Sequence, residues 1–469
     1  MRFTKFGKAL VMGALSAGVI CGVTSCDESY TVGFLYVTGT VTASSGNNGI
    51  ISGFKIDHNT GHLTAINGLP VGSGGSNPVR AVLTLGSRFV YVLNRGTNAA
   101  GNGDCYGTSP ATVCNGANIT EFVVGGNGIL TSQGTYFTQG FNPFRLIVDG
   151  SGSYLMVLDH DAPDNANPSN ADACAAALGT LGTGTTTTTC GDITVFQINQ
   201  TTGRLSLIQN AQVKMNGAAI TYFPVPANPV DFVLSGPYVY TLTWAPTTSM
   251  TSTTTAYPYT GGTSVWPYTY LSSSGQLQLS QNGVQSLGIG QGTAIVNTNG
   301  VIYLLDNEPV TVSFNGSPTT SQSQILPMTS AAGGALQAET SGVIPDDPTL
   351  SNPSYLILET KGKYLYVANQ GNNTTGNNPE SGVAGYFITT APSFQLSFIP
   401  HEPFGSGSGP QCIVEDPSDQ FVYEANAYSN NVTGRLVDSI SGILDDLSNT
   451  QDYPLEGPAT WCFVDGRTG

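Results

Sequence analysis

Arg80, Arg145 and Asp231 each stand two positions after a proline, and each of those prolines, Pro78, Pro143 and Pro229, follows an asparagine and opens an apolar run. Two guanidiniums brought together can grip a carboxylate or polarise an ester carbonyl, and a carboxylate beside them serves as base or counter-ion. The same position in the other copies of this pattern, or its aligned equivalent, holds Ala294, Tyr355, Cys412 and Thr460. Residues of one parity along a strand share a face, so this set is expected to line one wall. The alternative use of the three charged residues is an ion-pair network that locks neighbouring repeats together. His160 is the only histidine placed directly after a second apolar segment, which makes it the general-base candidate. The asparagines before proline, Asn77, Asn142, Asn228 and Asn352, read as residues that satisfy backbone groups at a loop-to-strand junction.

Other motifs add little. The chain has no Gly-Xaa-Ser-Xaa-Gly elbow, no His-Glu-Xaa-Xaa-His and no P-loop. Gly405-Ser406-Gly407-Ser408-Gly409 precedes an apolar run and reads as a loop, not a phosphate cradle. Asp159-His160-Asp161 with Asp164, Asn165 and Asn167 offers oxygen ligands but lacks the glycine and terminal glutamate of a calcium loop. Without Cys-Xaa-Xaa-Cys or Cys/His clusters, neither a metal nor a cofactor is expected.

The elements that would position these residues recur along the chain. One copy runs Asn77-Pro78-Val79-Arg80 into Arg88-Phe89-Val90-Tyr91-Val92-Leu93-Asn94, another Asn352-Pro353-Ser354-Tyr355 into Lys363-Tyr364-Leu365-Tyr366-Val367-Ala368-Asn369. A third, alternating strand follows, such as Ile193 to Ile198, and then a turn such as Thr202-Gly203-Arg204-Leu205 or Ser441-Gly442-Ile443-Leu444. Four short strands per repeat predict the blades of an all-β propeller. Six complete copies are followed by a lone leading strand, Gly457 to Val464, while Phe34-Leu35-Tyr36-Val37 is a second strand without a leader. Pairing these two predicts a seventh blade shared by both chain ends and a ring closed by the N-terminal strands on the C-terminal one.

Two of these segments carry a family likeness. The Leu-Tyr-Val-Ala-Asn strand at 365–369 and the segment Phe54-Lys55-Ile56-Asp57 leading to Thr60-Gly61-His62-Leu63 resemble the YVTN-type and lactonase-family (6-phosphogluconolactonase-like) seven-bladed propellers. That resemblance implies a central-channel site and hydrolysis of a sugar lactone. The family commonly carries a Pro-His-Xaa-His element on an inner strand, and this chain has none. Two readings therefore stay open: a lactone hydrolase using Arg80, Arg145, Asp231 and His160, or a non-catalytic propeller that binds a small molecule, a glycan or a protein.

Arg2, Lys5 and Lys8 precede an apolar stretch ending in Val23-Thr24-Ser25-Cys26, which resembles a bacterial lipobox. The expected organisation is a lipoprotein signal peptide over 1–25, a tether over 26–33 and a propeller over 34–469, with lipid on Cys26 as the only membrane attachment. An exported, cell-envelope monomer is the expectation. Loss of the three leader cations takes the formal charge from −16 to about −19, which argues against nucleic acid as a partner. In an oxidising compartment the remaining cysteines are expected to pair as Cys105 with Cys114 and Cys174 with Cys190, leaving Cys412 and Cys462 on one face of consecutive inner strands.

Overall fold

The second strand of each repeat is predominantly apolar because it has almost no side facing water. The computed structural model describes residues 30–41, 48–84, 88–97, 114–163, 172–178, 190–244, 263–280, 285–286, 290–314, 317–339, 344–372, 380–389, 395–448 and 450–466. Within them Phe89–Asn94, Tyr364–Asn369 and Phe421–Asn426 are buried at every position. Each has a hydrogen-bonded strand on both edges and a neighbouring sheet on both faces, so alternation vanishes from its sequence.

Seven antiparallel sheets of four or five strands stand in a ring. Blade one is built on the innermost strand Pro78–Leu83, blade two on Phe141–Val148, blade three on Pro229–Ser235 and blade four on Gly292–Thr298. Blades five and six are built on Pro353–Leu358 and Pro410–Glu415. Blade seven takes its innermost strand, Ala459–Asp465, from the end of the chain and the next, Thr31–Thr40, from its beginning. Tyr36 pairs with Phe463 and Val37 with Cys462, so the ring closes as the unpaired leader and follower required. The first strand opens at Thr31, opposite Asp57, and not at Phe34, which shortens the tether expected over 26–33.

A tyrosine in the second strand stitches each of several blades to the next. Tyr36 donates to the Gly128 carbonyl at 2.7 Å, Tyr366 to Gly442 at 2.8 Å and Tyr423 to Gly61 at 2.6 Å, each acceptor lying in a hairpin of the following blade. Gly442 has φ +72°, and a Cβ there would come within 2.4 Å of the Tyr364 ring. The glycine of the Gly-Xaa-Leu turn is therefore required both by its backbone angle and by the neighbouring blade.

The expected Cys174–Cys190 disulfide is formed, with a Cα separation of 5.8 Å, and ties the helix Asp172–Leu178 to a strand of blade two. Cys412 and Cys462 are also joined, at 6.0 Å. The signal segment, Cys26, Asp164, Asn165, Asn167 and Cys105 with its expected bond to Cys114 lie outside the described residues.

Candidate functional site

All seven innermost strands share an irregularity at one level. Register breaks between Pro78 and Arg80, between Pro229 and Asp231, between Gly292 and Ala294, between Pro353 and Tyr355, and between Pro410 and Cys412. The same break separates Pro143 from Arg145 and Ala459 from Trp461. Each bulge leaves one residue unpaired; in five blades that residue, Val79, Thr293, Ser354, Gln411 or Thr460, lines the channel mouth, whereas Phe144 is part of a buried core cluster and Val230 packs against another. Just before the bulge Asn77, Asn142, Asn228 and Asn352 adopt φ of 51°, 59°, 56° and 53°. Asparagine tolerates this left-handed region. The Asn77 and Asn352 carbonyls accept from the N–H groups of Arg95 and Gln370 at 3.0 and 2.9 Å. Their side-chain amides donate to Gly96 and Gly371, the structural role anticipated for them.

The bulges surround a cavity of about 420 Å³ at the channel mouth. Its floor holds Arg80, Arg145 and Trp461; bulge residues Val79, Thr293, Ser354, Gln411 and Thr460 form the wall. Gln291, Asn307, Gln370 and Trp244 contribute to the rim. Among the described lining residues there is no carboxylate and no imidazole.

Arg145 Nε lies 3.3 Å from Asp231 Oδ1. The Asp231 carboxylate is 1% exposed and also accepts from the backbone N–H groups of Phe232 at 2.9 Å and Ile295 at 3.1 Å. Blades two, three and four thus meet at this carboxylate, and its role is to fix Arg145, since both oxygens are already engaged. Arg80 is placed differently. Its guanidinium carbon sits 3.5 Å from the Trp461 ring centroid and 5.3 Å from that of Tyr355, and the two rings meet edge to face at 4.7 Å. Burial, and then the like charge of Arg145, push the Arg80 guanidinium down to about 10, against the opposing pull of Asp231 and Tyr355. Burial raises the Tyr355 hydroxyl while Arg80 draws it back.

Arg80, Tyr355, Arg145 and Asp231 therefore meet around the channel. Thr460 lines the cavity as a bulge residue, but Trp461, not Thr460, occupies the position equivalent to Arg80, because the last strand opens one residue later relative to its proline. That slip also places Cys462, opposite Val37, one position beyond the level of Cys412, so the two half-cystines are not of like parity. His160 is 8% exposed, with Nδ1 3.1 Å from Asp161 Oδ2 and its ring 6.4 Å from that of Phe144. It is not part of the cavity wall. The polar wall residues escaped a search for charged groups: Ser354 and Gln411 follow a leading proline directly, but Thr293 follows Gly292 and Thr460 stands two after Pro458, so no fixed spacing marks them.

Residues 319–462 match the family described as Lactonase, 7-bladed beta-propeller. That span carries Tyr355, Cys412 and Trp461 but not Arg80, Arg145 or Asp231. The structure is similar to that of a candidate 6-phosphogluconolactonase of Bacteroides uniformis, 15% identical with a TM-score of 0.59, covering 92% of this chain and 100% of that one. A candidate 6-phosphogluconolactonase of Bacteroides fragilis is 15% identical with a TM-score of 0.58, covering 94% and 99%. The periplasmic gluconolactonase of Pseudomonas aeruginosa is 17% identical with a TM-score of 0.59, covering 92% and 98%. No curated protein matches the sequence. Residues 319–462 thus match the seven-bladed lactonase propeller family, and the rest of the described chain repeats the same blade around the same ring.

Proposed function

We propose that the channel-mouth cavity receives a sugar lactone and that Arg145 promotes its opening by water. The observation that carries this reading is the pair of guanidiniums, from adjacent blades, that reach one cavity of about 420 Å³, one of them fixed by a buried aspartate. Water adds to the lactone carbonyl carbon, negative charge collects on the carbonyl oxygen, and the ring C–O bond then breaks. The ring oxygen takes up a proton and leaves as a hydroxyl, and the product is a hydroxy acid that releases its own proton. A positioned N–H donor at the developing oxyanion is worth about 10²- to 10³-fold in rate. The hydroxyls of Thr293 and Ser354 and the amides of Gln291, Gln370 and Gln411 suit the hydroxyl groups of a sugar, and Trp244 and Trp461 suit its C–H faces.

A panel of plain and phosphorylated lactones followed by proton release tests this. Arg145→Gln is expected to lower kcat at least about 100-fold with a smaller change in KM. Unchanged turnover in that variant would remove Arg145 from the chemistry. The second reading, binding without hydrolysis, is favoured by the lack of a carboxylate or imidazole on the described wall. Saturable binding of sugar acids without turnover of any lactone would establish it.

The same reading places the protein outside the cytoplasm, held by lipid at Cys26. The sequence Val23-Thr24-Ser25-Cys26 and the likeness to a periplasmic gluconolactonase support this. Among the described residues no helix is long and apolar enough to cross a membrane. Mass spectrometry of the mature N-terminus should find a diacylated Cys26; an unmodified terminus beyond it would overturn the anchor.

A further inference from the structure

We propose that the lactone selected by this cavity carries one carboxylate of its own, as the monolactone of a sugar diacid does, and that Arg80 is the residue that reads it. The inference rests on the sugar-lactone reading above and narrows it by counting charges in the cavity. Arg145 is answered by Asp231 at 3.3 Å. Arg80 has no carboxylate within ion-pair reach, and none of its N–H groups has a hydrogen-bond acceptor among the described residues. Arginines held for structure in this chain look otherwise: Arg435 donates both to Asp446 and to the Gly405 carbonyl. The Arg80 guanidinium is instead supported on its face by Trp461, at 3.5 Å from the ring centroid. Stacking fixes the plane of a guanidinium and leaves its in-plane N–H edge for a ligand, the geometry that suits a planar, two-oxygen anion.

Size of charge separates the acidic ligands. Among the described lining residues Arg80 and Arg145 are the cations, and one of the two is neutralised, which leaves a single positive charge. A carboxylate matches that charge. A phosphomonoester brings nearly two negative charges at neutral pH and has no second free cation to meet it. General attraction does not account for an anion here either, because the chain carries a formal −16. Recognition must therefore be local, and Arg80 is where it is built. The rim and wall amides remain for the hydroxyl groups, as they would for a neutral sugar.

The test compares D-glucaro-1,4-lactone, D-glucono-1,5-lactone and its 6-phosphate as substrates, and measures binding of glucarate and gluconate by calorimetry. The expected result is kcat/KM at least tenfold higher for the carboxylated lactone than for either other, with glucarate binding at least tenfold more tightly than gluconate. Arg80→Gln should bring both ratios to near one; Arg80→Lys, which keeps the charge but not the stacked plane, should fall between. Thermal unfolding of both variants separates loss of recognition from loss of fold. Equal use of neutral and carboxylated lactones, preference for the phosphate, or ratios unchanged in Arg80→Gln would overturn the proposal while leaving the lactonase reading intact. Arg80-dependent glucarate binding without turnover would sustain it and defeat hydrolysis. Absence of both binding and turnover would overturn both.

Discussion

Glu424 is completely buried in the second strand of blade six, and neither of its oxygens has a hydrogen-bond partner. Burial, only partly offset by Arg435 and reinforced by Asp452, lifts its carboxyl to about 8 from an ordinary 4.5. Between those two values the folded protein keeps a proton that the unfolded chain has released, so stability declines as pH rises from about 4.5 to about 8. Glu424→Gln supplies a neutral side chain of the same shape. It should raise stability on the order of 2 kcal/mol at pH 8.5, change little at pH 5, and flatten the dependence between. Thermal unfolding at the two pH values checks this; an equal shift at both would mean that packing, not ionisation, is responsible. Single residues differed in how far they were legible in advance. Arg80, Arg145 and Asp231 stood out because they are charged at a position that is neutral in other repeats. Trp461 did not, because locating it requires knowing where the last strand begins to pair.

At the level of strands, the repeat was legible because burial on both faces imposes an apolar run and the hairpin imposes a glycine. The bulge was not, since no residue type marks it: Val79, Thr293, Ser354, Gln411 and Thr460 have only their place in common. The wall of the site lies at that place, so the part of the site built from charge could be read and the part built from backbone irregularity could not. The Cys412–Cys462 bond links the innermost strand of blade six to that of blade seven across a separation of 50 residues. On the chain-entropy account a loop of that size is worth about 4 kcal/mol. Cys462→Ser should lower the unfolding midpoint under oxidising conditions and do little in excess reductant. A similar loss in both conditions would mean that the residue acts through packing.

Across the whole molecule, the ring is closed at its inner circumference by packing: each innermost strand touches the next, and that of blade seven touches that of blade one. The site depends on this closure, because Arg80 of blade one rests on Trp461 of the closing strand. Cavity and ring are therefore completed by one event. That event pairs Phe34 with Asp465, residues from opposite ends of the chain. Contacts of such long sequence separation form late in folding, in whichever compartment the chain folds. Timing follows from topology: a chain whose closing strand has not docked has no finished binding site, and docking of that strand switches it on.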